Sequence, residues 1–176
     1  MEVFHISKEQ YERGQIVDIK NFGEETFYHR NLTENQRNID NYLSVGKPDG
    51  YPERKLCIYA FAKPEYCVYF QMKNICKGGN WYLYRCNMDV FSGHPMFLVG
   101  EMEKTGPDRW EVLRNEYWYP NKKWKLLEYL SDKIEIVEEI KVSERLMGLA
   151  MTNGASDYAD DSQIVRTLFL CGNNEL

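Results

Sequence analysis

Two short motifs carry the residues best suited to chemistry: Val3-Phe4-His5-Ile6-Ser7 and Cys57-Ile58-Tyr59-Ala60-Phe61. Each sets one polar or aromatic side chain inside an apolar, strand-forming run. A neutral imidazole on a rigid strand can accept a hydrogen bond at one ring nitrogen while donating at the other. A phenol offers a flat ring for stacking. A histidine and a tyrosine on neighbouring strands, opening onto one cleft, can hold a nucleotide. Ser7 lies two residues beyond His5 on the same strand face and can reach the same ligand.

Each of these residues also has a plainer role. A lone histidine in an apolar strand is more often a satisfied core group than a ligand. Tyr59 alone is a good strand residue. Arg54, on the loop before it, reads by itself as a surface ion pair or loop anchor. Glu116, within Asn115-Glu116-Tyr117-Trp118, reads equally as a solvated acid.

The elements that must position these residues follow from periodicity. Residues 3–7 form the first strand, 8–14 a short helix or turn closed by Gly14, and 16–19 a brief extended piece. Residues 24–45 show helical spacing at Leu32, Ile39 and Leu43, with Asn31 or Thr33 as cap and Gly46 and Pro48 as the stop. A loop rich in Gly and Pro, 46–54, leads to a buried strand at 56–61. Pro64 then sits early in a helix. Gly78-Gly79 breaks the chain, and strands are expected at 81–86, 96–102, 109–119 and 133–140. His94 reads as a turn residue without a partner. Residues 143–151 suit a helix, 152–162 are polar, and 164–171 suit a strand or a mobile tail. The resulting division is a domain over 1–142 and a C-terminal helix, strand or tail over 143–176 packed on it. The order of elements predicts an α+β fold with a mostly antiparallel sheet.

Composition narrows the function. A chain of 176 residues has core enough for one domain without staples. Its 13 Tyr, 8 Phe and 4 Trp favour a ring-lined concave surface. The net charge of −5 argues against general nucleic-acid affinity and against acidic membranes. No apolar run is long enough to span a bilayer and no signal peptide is visible, so a cytoplasmic location is expected. The five cysteines form no CxxC pair and lie mostly in apolar runs, which fits reduced core thiols and no metal.

The order and spacing of Phe4-His5-Ile6-Ser7, Gly14-Gln15-Ile16, Ile58–Glu65, Trp81–Tyr84 and Glu128-Tyr129-Leu130 leading into Ile134–Val137 resemble the ADP-ribosyltransferase superfamily. The spacing is most similar to small bacterial members of the rifampicin-modifying type and to an uncharacterised bacterial family with a Pro-x-Arg loop before the tyrosine strand. The resemblance covers about residues 3–140. It implies split, mostly antiparallel sheets around a nucleotide-sized cleft, with flanking helices. It also implies a mono-ADP-ribosyltransferase that uses NAD as substrate, releases nicotinamide and modifies an unknown acceptor: protein, nucleic acid or small molecule. His5 would bind the adenosine ribose, assisted by Ser7, and Arg54 the pyrophosphate. Tyr59 would stack on nicotinamide, contributing about 1 kcal/mol. Glu116 is the first choice for the acid that stabilises the oxocarbenium ion, with Glu128 and Asp89 as alternatives. The rival reading is a catalytically inactive nucleotide- or partner-binding module on the same fold. A third is an NAD-hydrolysing or phosphate-transferring activity on that scaffold.

Overall fold

Among the described residues, seven strands pair into one antiparallel sheet: β1 (Glu2–Ser7), β2 (Ile16–Asp18), β3 (Ile58–Phe61), β4 (Tyr82–Asn87), β5 (Gly93–Pro95), β6 (Leu127–Ser131) and β7 (Lys133–Ile140). Their order is β2-β7-β4-β1-β3-β6-β5. The structure is a computed structural model that describes residues 1–21, 31–73, 80–90 and 92–170. The helices are α1 (Glu34–Val45), α2 (Pro64–Lys73), α3 (Met96–Lys104), α4 (Trp110–Trp118), α5 (Glu144–Leu149) and α6 (Ala155–Leu170), the last two joined by a π-helical turn at Ala150–Gly154. The expected α+β class is therefore observed.

The sheet cannot be flat. Strands β6 and β7 stand four positions apart in the order, which in a flat sheet is about 19 Å. Yet only Asp132 separates them in sequence, and two residues reach at most about 7 Å. The sheet therefore curls until the end of β6 meets the start of β7. The inside of that curl is one apolar cluster. It draws Ile58 and Ala60 from β3 together with Val3, Tyr84, Cys86, Val17, Ile134 and Ile136 from the β1, β4, β2 and β7 side. The seam lies between β1 and β3, which share a single register pair, Phe4 opposite Phe61, against six pairs between β1 and β4.

The outer face is covered by helices. Phe61, Leu83 and Leu126 pack with Tyr66, Cys67, Val68 and Tyr69 of α2 and with Leu146 and Ala150. Leu130 packs with Ile39, Leu43, Phe97, Leu98, Leu113, Tyr117 and Trp118 of α1, α3 and α4. Helix α1 starts at the Thr33 capping box, where Thr33 Oγ1 accepts from Gln36 N and Gln36 Oε1 accepts from Thr33 N.

Three expected elements differ. Residues 96–102 and 109–119 are helices, not strands. Their buried residues fall at helical intervals, Phe97, Leu98 and Met102 in one and Leu113, Tyr117 and Trp118 in the other. The region 152–170 is helical and docked, not a strand or loose tail: Gly154 lies so close to the Tyr69 ring that a Cβ there would meet Cγ at 2.7 Å. Of the two alternatives expected for residues 8–14, helix or turn, the structure has the turn, ending at Gly14 with φ +80°. Cys57, Cys67 and Cys86 are buried free thiols. Residues 24–30 of the helical pattern expected over 24–45, and the Gly78-Gly79 break, lie outside the described residues. No helix among the described residues is long and apolar enough to cross a membrane.

Candidate functional site

Strand register decides which candidates can meet. Residues opposed across a sheet share a face, and alternate residues along a strand change face. Phe4 opposes Phe61, and Phe61 and Tyr59 oppose Glu128 and Leu130. Tyr59 and Glu128 therefore point outward, under the helices. His5 and Ser7 oppose Tyr84 and Tyr82 and share the inner face with Ile58, Ala60 and Tyr129. His5 and Tyr59 lie on neighbouring strands, as the motifs suggest, but project from opposite faces.

On the inner face, His5 bridges the seam. Its Nδ1 lies 2.8 Å from the Tyr59 carbonyl oxygen, which can only accept, so Nδ1 carries the proton. Burial lowers the His5 pKa below 6.5, offset in part by that hydrogen bond. The ring is accordingly neutral and Nε2 is an acceptor, with no protein partner among the described residues. Around it the inner face grades from closed to open. Val3, Cys86 and Met88 are buried, whereas His5, Ser7, Tyr11, Tyr82 and Tyr129 are only partly so. Ser7 Oγ accepts from Glu9 N at 3.0 Å and donates to Tyr11 Oη at 3.5 Å. The Tyr11 and Tyr84 rings lie 5.5 Å apart, and Tyr82 stacks on Tyr84 at 6.5 Å. The result is a partly open row of phenols, one hydroxyl and one neutral imidazole. Such a surface can accept a ribose hydroxyl and stack a planar ring.

The outer candidates belong to a buried ion cluster. Arg54 is 1% exposed. Its Nε donates to Asp40 Oδ1 at 2.8 Å, and its Nη1 donates to Glu128 Oε1 at 2.7 Å and to Tyr117 Oη. Tyr117 Oη also donates to Glu128 Oε1 at 2.5 Å. The guanidinium lies 5.1 Å from the Tyr59 ring centroid and 5.0 Å from that of Tyr117. Tyr59 Oη donates to the Arg54 carbonyl at 2.8 Å. Burial raises the pKa of both phenols, so they remain neutral donors. His94 is not an isolated turn residue: it sits on β5, fully buried, with Nδ1 3.1 Å from the Tyr117 carbonyl. Arg54 therefore ties α1, α4, β3 and β6 together through its Nε and Nη1.

Glu116 is likewise engaged. From α4 its Oε1 accepts from Asn121 N at 2.9 Å, Lys122 N at 3.1 Å and Trp124 Nε1 at 2.7 Å. Asp161 of α6 continues the clamp, accepting from Lys125 N and Leu126 N. The two buried carboxylates fix the 119–126 connection that feeds β6. Asp89 is the exposed acid of the three candidates. It borders a cavity of about 400 Å³ lined also by Lys47, Tyr51, Ser131 and Asp132. Among the described residues no group of His, Cys, Asp and Glu has the arrangement of a metal site.

The sequence reading missed the tyrosines of the inner face. The signal was present in the alternation Tyr82, Tyr84 on a strand next to His5, but the pairing of β4 with β1 is needed to read it. Comparison with known proteins finds no matching family model and no matching curated sequence.

Proposed function

We propose that the chain binds NAD on the inner face of its curled sheet, as an ADP-ribosyltransferase-like protein. One observation carries the reading: the neutral His5 ring, its tautomer set by the Tyr59 carbonyl, leaves an acceptor nitrogen in a partly open row of Ser7, Tyr11, Tyr82 and Tyr129. That row can accept the hydroxyls of a ribose and stack its base without any charge from the protein. Along the chain His5 of β1 precedes Tyr59 of β3 and Glu128 of β6, and it is this order of motifs in the sequence on which the resemblance rests. The engaged states of Glu116 and Glu128 favour binding without turnover.

The second reading, transfer of ADP-ribose to an acceptor with loss of nicotinamide, rests on Asp89. It is an exposed carboxylate at a cavity that includes Ser131, a β6 residue of the His5 face. A carboxylate there could stabilise the developing oxocarbenium ion. Calorimetric titration of the whole chain with NAD tests the binding reading, and absence of a binding heat at millimolar ligand defeats it. Nicotinamide release from labelled NAD, with and without a cell lysate, separates the two. Nicotinamide release together with label transferred to an acceptor, both lost in Asp89→Asn, establishes the transferase, whereas release with free ADP-ribose as the product is NAD hydrolysis. Binding with no release leaves the binding module.

A further inference from the structure

Between β1 and β2 the chain runs as a strap, residues 8–15, fixed at one end by a side-chain hydroxyl and at the other by main-chain bonds. At one end Glu9 N donates to Ser7 Oγ. At the other Gly14 N donates to the Ile136 carbonyl at 2.7 Å and Ile136 N to the Gln15 carbonyl at 2.9 Å. Between these ends, residues 9, 10, 12 and 13 are exposed and Tyr11 turns inward. Tyr11 N donates to Tyr84 Oη at 2.9 Å, and its ring packs on that of Tyr84. Tyr84 is fully buried, directly opposite His5 in the β1–β4 ladder. Burial raises the Tyr84 pKa, so its hydroxyl is a neutral partner throughout the physiological range.

We infer that Tyr11 forms the wall of the nucleotide site on the adenosine side, and that Tyr84 is the positioning residue that holds it there. The inference rests on the NAD-binding reading and names which half of the ligand the strap meets. Three features place Tyr11 in the site. Its hydroxyl contacts Ser7, its ring lies on the inner face that His5 shares, and it is partly exposed. Tyr84 itself is covered and acts only through its neighbours: Tyr82 stacks on its ring, and the strap hangs on its hydroxyl through Tyr11 N. A phenol hydroxyl buried at the centre of a sheet, accepting a hydrogen bond from the middle of an otherwise exposed strap, sets where that strap lies over the site. It does so by satisfying a backbone N–H that would otherwise require water.

The test measures affinity of the full chain for NAD, ADP-ribose and nicotinamide mononucleotide. Tyr84→Phe removes only the hydroxyl and is expected to weaken NAD and ADP-ribose in parallel by about 5–10-fold, the equivalent of one hydrogen bond. Nicotinamide mononucleotide, which lacks adenosine, should bind as to the wild type. Tyr11→Phe keeps both ring and N–H and should stay within about 2-fold. Tyr11→Ala should lose at least as much as Tyr84→Phe, and the double variant no more than Tyr11→Ala alone. Tyr11→Ala also keeps the test decisive if Tyr84→Phe does not fold. Wild-type affinity for NAD in a folded Tyr84→Phe or Tyr11→Ala overturns the inference, even where the melting temperature falls. So does an equal loss for all three ligands. If the wild type binds neither NAD nor ADP-ribose, the NAD-binding reading fails and takes this one with it.

Discussion

The two faces of one sheet handle polar side chains in opposite ways. Outside, beneath the helices, Arg54, Asp40, Glu128 and Tyr117 pair with one another in a volume from which water is excluded. Inside the curl, His5, Ser7, Tyr11 and Tyr82 are neutral and only partly covered. The difference follows from the cost of burial. An ion taken out of water must be matched on every side, and the matching consumes the hydrogen-bonding capacity a ligand would use. Neutral groups can be half covered at small cost and keep an open valence. In this sheet the buried charged residues are therefore architectural, and the weaker polar groups are the ones that keep hydrogen-bonding capacity open.

The largest expected effect tests the outer half of that contrast. Arg54→Ala leaves Asp40 and Glu128 buried without their cation, and should cost about 3–5 kcal/mol or prevent folding. Denaturant melts of the variant check it, and a loss below about 1 kcal/mol would mean that the cluster is solvated and open to a ligand. Next is Glu116. Glu116→Ala removes an acceptor shared by three N–H groups and should lower stability by about 1.5–3 kcal/mol, while NAD affinity is unchanged in the folded protein. Unaltered stability with lost turnover would return Glu116 to a catalytic role.

On the inner face, His5→Ala should weaken NAD binding by roughly 1–3 kcal/mol, at a stability cost of ~1 kcal/mol for the lost hydrogen bond to the Tyr59 carbonyl. Loss of stability with unchanged NAD affinity would make His5 a seam rivet only. The smallest effect is a pH dependence. Burial lowers the pKa of both His5 and His94 from 6.5, so each ring binds its proton less readily in the fold than in the unfolded chain. Below about 6.5 the unfolded state then holds more protons. The stability contribution is complete above that pH and is lost as pH falls through the folded values. Melting temperatures from about pH 8 to about pH 5 should decline, and His5→Gln should remove part of the slope. An unchanged slope in His5→Gln would show that its ring titrates as it does in the unfolded chain.

The sequence by itself determined the local elements with strong signals. The first strand was legible from Val3, Phe4 and Ile6, the helix after Pro64 from its proline, the helix cap as either Asn31 or Thr33, of which the structure uses Thr33, and the last strand from the alternation of Ile134, Ile136 and Ile140. These rest on backbone preferences and on one buried face, which a short window records. Helices α3 and α4 were misread because their aromatic and apolar runs suit either period, and only packing against α1 and β6 chose the helix. The site was legible in part. His5 and Ser7 could be picked out because a polar side chain in an apolar strand is visible locally. That Tyr59 faces away from His5 could not, because face depends on pairing and the Phe4–Phe61 register is a long-range fact. The same holds for Arg54: its partners come from α1, α4 and β6, far apart in sequence, so only the tertiary fold could turn a loop arginine into the centre of a buried cluster.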